Sequence, residues 1–456
     1  MKEIQDYIER NKARFMDEYF QLLRIPSVSS QSQHAPDMLA CTDLLRQLFL
    51  AAGADRVEVL PTAGHPVFYA EKHVSPELPT VLVYGHYDVQ PPEPFELWET
   101  PPFEPSERGG RVYARGANDN KGQFFAHLKA LELMSALGGP PCNIKFMIEG
   151  EEEVGSPNLR AFCEQNQELL KADALLISDT SMIDPTTPSL TTGMRGLCYW
   201  QVELTGPSRD LHSGLYGGAV ANPLVALAQM VAQLHDAEGR VTIPGFYDKV
   251  RQFSDQERAA LAAGPFDQDE FNRSIGIPEA VGEEGFSTRE RVGIRPCLDL
   301  CGIWGGYTGQ GAKTVLPSKA YAKISTRLVP DQDHHEVAVL FQRYFEGLAP
   351  KGVSVKVEYL HGGNPFISKA DSPAYRAAEQ AVWDAFGSPS IPVYSGGSIP
   401  ILSVFEEVLG LNAVLMGIGL DSDAIHSPNE SFRVDQLLNG IAAATRFHQH
   451  FVGLQA

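Results

Sequence analysis

At 456 residues the chain is longer than one ordinary hydrophobic core supports, and its length points to two domains or three. Hydrophobic residues make up 43% and charged residues 21%, which excludes a disordered or fibrous chain. The 37 Lys and Arg stand against 57 Asp and Glu, a net charge of -20. That balance repels phosphate backbones and anionic lipid, and no local basic patch offsets it, so neither nucleic acid nor a membrane surface is expected as a partner.

The chain opens on MKEIQDYIERNKARF, where Ile4, Ile8, Phe15, Tyr19 and Leu22 recur near helical spacing, so an amphipathic helix ending before Pro26 is expected. This start lacks the apolar centre of a secretory signal, and no apolar run reaches membrane-spanning length. Cys41, Cys142, Cys163, Cys198, Cys297 and Cys301 are dispersed without paired CxxC spacing, so free thiols and a reducing, cytoplasmic location are expected.

A second helix is expected from about Asp37 to Ala52, closed by Gly53. Segments 80 to 84, 143 to 148 and 173 to 177 are short apolar runs separated by helical stretches from Asn120 to Leu137 and from Pro157 to Leu170. They read as buried strands of an open α/β sheet, whose ligands bind beyond the carboxyl ends of the strands. From about 195 the texture changes to a strand, a helix through Asn222 to Leu234, and a long polar stretch from 236 to 296. A strand, helix and strand over about 319 to 360 then imply a small α+β unit with an antiparallel sheet. After a helix near 372 to 386, the apolar run at 411 to 419 and a final helix from about 434 read as a return to the first domain. The expected division is a catalytic domain of 1 to 193 and 387 to 456, interrupted by an inserted α+β domain of 194 to 386.

Ligand-type side chains recur just beyond these strands. His86 and Asp88 are two apart and face one side of an extended chain, so a carboxylate stands beside a potential metal-binding imidazole. Asp119 lies in RGANDNKG before a helix, where taken alone it reads as a cap. The run Glu149 to Glu153 sets four carboxylates within five residues at a sheet edge, an arrangement that repels itself unless a cation or solvent relieves it. Asp179 in ISDT and His426 in AIHSPNE complete the set. Each is weak singly, whereas their common placement at strand ends points to a metal centre.

These residues lie in the motifs VLVYGHYDVQP, RGANDNKGQ, EGEEEVGS, LLISDT, DLHSGLYGG, GAKTVLP, RLVP, GGSIP and AIHSPNE. In order and spacing the chain resembles the M20 metallopeptidase family over nearly its whole length, in particular the branch of cytosolic nonspecific dipeptidases and carnosinases. The resemblance implies a zinc-exopeptidase-like fold, with a mostly parallel central sheet flanked by helices and an inserted lid and dimerisation domain.

It also implies two divalent ions per subunit, one held by His86, Asp119 and Asp179 and one by Asp119, Glu153 and His426. Glu152 is the implied general base, and Asp88 the implied partner of His86; composition alone leaves Glu151, Glu152 and Glu153 as alternatives. A cis peptide after Asp119 is implied as well. Three carboxylates and a bridging hydroxide nearly balance two divalent ions, whereas one ion leaves excess negative charge. Zn²⁺ suits the mixed imidazole and carboxylate set, and Mn²⁺ suits it too.

The implied reaction is hydrolysis of a dipeptide or short peptide with a free C-terminal carboxylate, by a water shared between the ions with Glu152 as its base. His212 would stabilise the oxyanion and, with Thr314, reach across a homodimer; Arg327 and Ser398 would bind the substrate carboxylate. Two other readings stand beside this one: an N-acyl amino acid deacylase or carboxypeptidase with the same metal chemistry, and a non-catalytic cation-binding scaffold on the same fold.

Overall fold

The computed structural model describes every residue except Ala263, Ser398, Pro400 and Ala456, and omits the side chains of Ala260 and Gln455. The chain divides into two compact units. The first comprises residues 1–192, 368–393 and 404–456, and the second 193–367 and 394–403.

The first unit is built on a sheet whose strands follow the order Arg56–Leu60, Val67–Lys72, Asn143–Glu149, Thr80–His86, Ala174–Ile177, Ala413–Leu415 and Ser189–Met194. The four strands from Asn143–Glu149 to Ala413–Leu415 run parallel, and those outside them pair antiparallel. Val81, Leu82, Val83 and Tyr84 are all fully buried, which is why their apolar run does not alternate: both faces of the sheet are covered. Truncating such a side chain, as in Leu82→Ala, costs about 2–5 kcal/mol.

The N-terminal helix Lys2–Leu23 buries Ile4, Ile8, Phe15, Tyr19 and Leu22, the stripe read from the sequence. Helix Ala35–Ala51 stops two residues before Gly53, which takes φ +94°, a conformation glycine adopts without steric cost. Helix Lys121–Ala136 is covered almost all round, burying even Lys121 and Lys129. Lys121 donates from Nζ to the carbonyls of Leu22 and Ile25, so a buried ammonium joins this helix to the end of the first.

The chain returns to this unit at residue 368 rather than 387, because helix Pro373–Phe386 shares its core with helix Val434–Gln455: Tyr375, Ala378 and Val382 lie in one apolar cluster with Leu437, Ile441 and Phe447. The expected helix from Pro157 to Leu170 is two, Leu159–Gln165 and Gln167–Leu170.

The second unit carries an antiparallel sheet in the order Cys297–Gly305, Lys319–Leu328, Gly196–Thr205, Ser354–Gly363. Burial alternates residue by residue along Gly196–Thr205, the mark of a sheet packed on one face. That face meets helices Pro223–Val231 and His334–Gly347, and Trp200 stacks on Phe341 with ring centroids 4.2 Å apart. Among its described residues the polar stretch from 236 to 296 holds three short helices, Asp255–Ala262, Gln268–Ser274 and Thr288–Gly293. A buried two-pronged pair at 2.7 Å, Arg295 on Glu283, anchors it. No helix among the described residues is long and apolar enough to cross a membrane.

Candidate metal centre

The parallel strands end at one edge of the first unit's sheet, and there the separated motifs meet. His86 is the last residue of Thr80–His86, Asp179 follows Ala174–Ile177, and Glu152 and Glu153 occupy the single turn after Asn143–Glu149. Asp119 sits in the turn before helix Lys121–Ala136. That helix start approaches closely because residue 85 is glycine: a Cβ there would lie 2.8 Å from Asn120 Oδ1 and 2.9 Å from Phe124 Cβ. The Asp119–Asn120 peptide is cis, as the resemblance implies.

Two trios of ligand atoms result, each within 4.8 Å of one another and sharing one carboxylate: His86, Asp119 and Asp179, and Asp119, Glu153 and His426. His86 Nε2 lies 3.1 Å from Asp119 Oδ1 and 3.8 Å from Asp179 Oδ1. His426 Nε2 lies 2.9 Å from Asp119 Oδ2 and 3.2 Å from Glu153 Oε2. Glu152 Oε2 is 3.9 Å from His86 Nε2. Glu151 turns elsewhere and accepts the side-chain amide of Asn158 at 2.8 Å.

The imidazole of His86 tests whether this donor set fits a cation. Its Nδ1 is 3.0 Å from the Asp88 carbonyl, which can only accept, so Nδ1 carries a proton. In a neutral ring Nε2 then presents a lone pair to Asp119, and this buried atom has no hydrogen-bond partner. Two acceptors facing each other are stable only with a positive charge between them, a metal ion or an added proton.

The titration behaviour expresses the same demand. Burial opposes a charged His86, yet Asp119, Asp179 and Asp88 together raise its pKa well above the usual imidazole value. Asp119 and Glu153 push His426 up to about 10. Burial raises Glu153 to about 7, with the Asp119 charge adding to the effect, and burial first, then Asp179 and Asp119, drives Glu152 well above the carboxylate range. Burial works against ionised Asp119, and the neighbouring imidazoles of His426 and His86 prevail and hold it low.

Residues that sequence reasoning passed over hold these groups in place. Glu430, fully buried, accepts from the Arg115 guanidinium and from the backbone N–H groups of Gly116, Asn118 and Asp119, all at 2.9–3.1 Å. Asn120 donates to Asp179 Oδ1 at 2.7 Å, and Gln90 to Glu153 Oε2 at 2.7 Å. Glu430, Asn120 and Gln90 lie within the recognised motifs, but nothing in their spacing shows what they touch. The Asp88 carboxylate is 3.4 Å from His86 Nδ1, and its hydrogen bonds go instead to the N–H groups of Glu152 and Glu153 and to the Ser29 hydroxyl. The expected partnership of Asp88 with His86 thus runs mainly through the Asp88 main chain.

In the second unit His212 and Thr314 are brought together: Leu211–His212 pairs with Val315–Leu316, and the Ser213 N–H donates to the Thr314 carbonyl at 3.1 Å. The Gly214 N–H donates to His212 Nδ1 at 3.0 Å, which leaves the proton of the neutral ring on Nε2. A Cβ on Gly214 would sit 3.0 Å from the His212 ring, so glycine permits this fold of the imidazole. Arg327 stands on strand Lys319–Leu328 opposite Leu197 and Cys297. Ser398 lies outside the described residues. The loop before it is held by Arg195, whose backbone N–H donates to the carbonyls of Ser395 and Gly397 and whose Nε donates to that of Gly396.

A mostly parallel α/β sheet with carboxylates and imidazoles gathered beyond its strand ends defines a metallohydrolase type of protein. Residues 82–450 match peptidase family M20/M25/M40, and the chain belongs to that family, as a hydrolase acting on peptide bonds. It is 31% identical to the Cys-Gly metallodipeptidase dug1 of Schizosaccharomyces pombe, over 97% of this chain and 96% of that protein. It is 34% identical to the human beta-Ala-His dipeptidase, over 80% of this chain and 73% of that protein. The structure of the M20 family metallo-carboxypeptidase Sso-CP2 from Sulfolobus solfataricus superimposes with a TM-score of 0.86 at 31% identity, covering 96% of this chain and 99% of that one.

Proposed function

We propose that this protein is a metal-dependent dipeptidase that hydrolyses dipeptides or short peptides bearing a free C-terminal carboxylate. The observation that carries the reading is the pair of ligand trios joined through Asp119, with an unpartnered, buried Nε2 of His86 facing them. Two divalent cations are the occupants this donor set favours, Zn²⁺ first and Mn²⁺ next. When bound, such ions polarise the scissile carbonyl and acidify a water between them.

Glu152 takes up the proton of the attacking water and passes it to the departing amine; a carboxyl whose pKa is raised by burial suits that exchange. His212, neutral with its proton on Nε2, donates to the oxygen that becomes negative as the carbonyl is attacked. Arg327 pairs with the substrate carboxylate, Ser398 binds the same end, and Thr314 assists beside His212. The names of the relatives similar to this chain, two of them dipeptidases, support a two-residue substrate.

A homodimer formed through the second unit is supported by strand Cys297–Gly305, which ends its sheet and leaves Leu300, Ile303 and Trp304 at least 40% exposed. A cytoplasmic location is supported by the six free cysteines, four of them buried.

The second reading, a deacylase or carboxypeptidase, draws on the likeness to the Sulfolobus metallo-carboxypeptidase. Metal analysis coupled to a substrate screen separates the readings. The dipeptidase releases two amino acids from Ala-Ala or Gly-Gly, and a deacylase releases acetate from N-acetyl amino acids. A metal-loaded chain with no turnover on a broad peptide panel overturns both in favour of a cation-binding scaffold.

A further inference from the structure

We propose that Ser29, which lies outside the residues matched by the family, is a positioning residue for the base Glu152 and the metal-holding carboxylate Glu153, acting through Asp88. The Asp88 carboxylate is wholly buried, and three hydrogen bonds converge on it. Its Oδ1 accepts the Glu152 N–H at 3.2 Å. Its Oδ2 accepts the Glu153 N–H at 3.0 Å and the Ser29 hydroxyl at 2.7 Å. Two donors are thus the main-chain amides of the residues whose side chains the reaction needs, and the third, the shortest, comes from a segment more than fifty residues earlier in the chain.

Ser29 is itself held. The ring nitrogen Nε2 of His65 donates to its carbonyl at 3.0 Å, since a carbonyl can only accept. Two residues before it, Ser27 donates from Oγ to the Tyr87 carbonyl at 2.6 Å and accepts the Val89 N–H on its own carbonyl at 2.9 Å. Residues 27–29 therefore form a strap fastened on both sides of Asp88, and the Ser29 hydroxyl is where the strap meets the carboxylate.

Removing that hydroxyl leaves a buried carboxylate oxygen short of one donor, free to turn toward His86 Nδ1, which is 3.4 Å from Oδ1. The amides of Glu152 and Glu153 follow the carboxylate. A shift of a few tenths of an ångström in the base and in one ligand is costly, because both must meet their targets within narrow limits. Partners of this kind typically change metal affinity or activity by about 10–100-fold when lost.

The inference rests on the roles proposed for Glu152 and Glu153, and the test separates the two. Ser29→Ala, Ser29→Thr and Glu152→Gln are prepared as full-length chains. Each is assayed for kcat and KM on a dipeptide, for zinc affinity of the metal-stripped chain against a chromophoric chelator, and for Tm. Ser29→Ala is expected to lower kcat and the affinity for the zinc that Glu153 would help hold by roughly tenfold each with KM within about twofold, and Ser29→Thr, which keeps the hydroxyl, to restore both. Wild-type kcat and zinc affinity in Ser29→Ala overturn the proposal. So does a lower Tm with both unchanged, which is what a purely structural hydroxyl gives. Ser29→Cys, a weaker donor of similar size, ranks between Thr and Ala and serves if Ala does not fold. Full turnover in Glu152→Gln removes the proposed mechanism, and the zinc affinities then still decide whether Ser29 positions Glu153.

Discussion

The Glu430 carboxylate accepts the backbone N–H of Asp119 at 3.1 Å, so the shared carboxylate of the two trios is presented by a loop gripped from below by a buried charge. The same side chain neutralises Arg115, which is 1% exposed, and also takes the N–H groups of Gly116 and Asn118. Glu430 follows His426 by four residues, so one segment supplies a ligand to the second trio and the clamp on the loop between the trios.

That geometry gives the first prediction. Glu430→Gln leaves the Arg115 guanidinium buried without its counter-charge and exchanges one acceptor for a donor that faces other donors. Breaking a buried pair from one side costs about 3–5 kcal/mol. Urea unfolding of the metal-stripped chain should show a loss of that size; a loss below about 1 kcal/mol contradicts the clamp.

Metal stoichiometry tests the sharing of Asp119. If both trios hold a cation, His426→Ala keeps about one zinc per chain where the wild type keeps about two, and Asp119→Ala retains neither tightly. Equilibrium dialysis followed by elemental analysis reads this directly. Equal retention in the two variants denies that one carboxylate serves both positions.

Much of this centre is legible in the sequence, and the limits have a physical cause. His86 and Asp179 follow apolar runs short enough to be strands and too uniformly apolar to be one-sided, so their position at a sheet edge could be read before any coordinates. The strand Arg56–Leu60 escapes notice because Arg56 and Glu58 interrupt it and it lies at the sheet's end, where one side needs no partner, and Val67–Lys72 because its apolar run is only four residues long before Glu71 and Lys72. Cys297–Gly305 is hidden in the same way by exposure along most of its length. Glu430, Asn120 and Ser29 could not be assigned partners because their contacts join residues 59 to 315 positions apart, and no local spacing records that. Domain return at residue 368 was equally invisible, since an amphipathic helix such as Pro373–Phe386 looks alike in either unit.

Zinc binding should release protons. Without metal, His426 titrates at about 10, its charged form favoured by Asp119 and Glu153, so at pH 7 it is protonated; Glu153, raised to about 7 chiefly by burial, is partly so. A cation needs both as bases, so these protons must leave, and affinity rises with pH until the groups are free of them. Calorimetric titration with ZnCl₂ at pH 7 in buffers of different ionisation enthalpy should give an observed enthalpy that depends on the buffer, with net proton release. Proton uptake, or affinity falling between pH 6 and about 8, contradicts this account.

Glu152→Gln separates binding from chemistry. Glutamine matches glutamate in size and cannot accept the proton of the attacking water, while neither trio contains residue 152. The variant should hold zinc as the wild type does and lose about 10²–10⁴-fold in kcat on Ala-Ala. Loss of metal along with activity would instead make Glu152 a ligand.

His212 offers the sharpest test of a shared active site. The ring is exposed, carries its proton on Nε2, and lies beside Thr314 on a short ribbon. If it serves the partner's substrate, His212→Ala and Glu152→Gln homodimers are each nearly inactive for different reasons. Mixing the two after reversible dissociation creates heterodimers in which one site receives both an intact Glu152 and an intact His212. Activity should then recover to about one quarter of wild type, since half of the randomly formed dimers are mixed and each has one working site of two. If His212 instead serves its own chain, every site in the mixture lacks one of the two groups and no recovery occurs. The assay is dipeptide hydrolysis before and after subunit exchange, with gel filtration to establish that the dimers have re-formed.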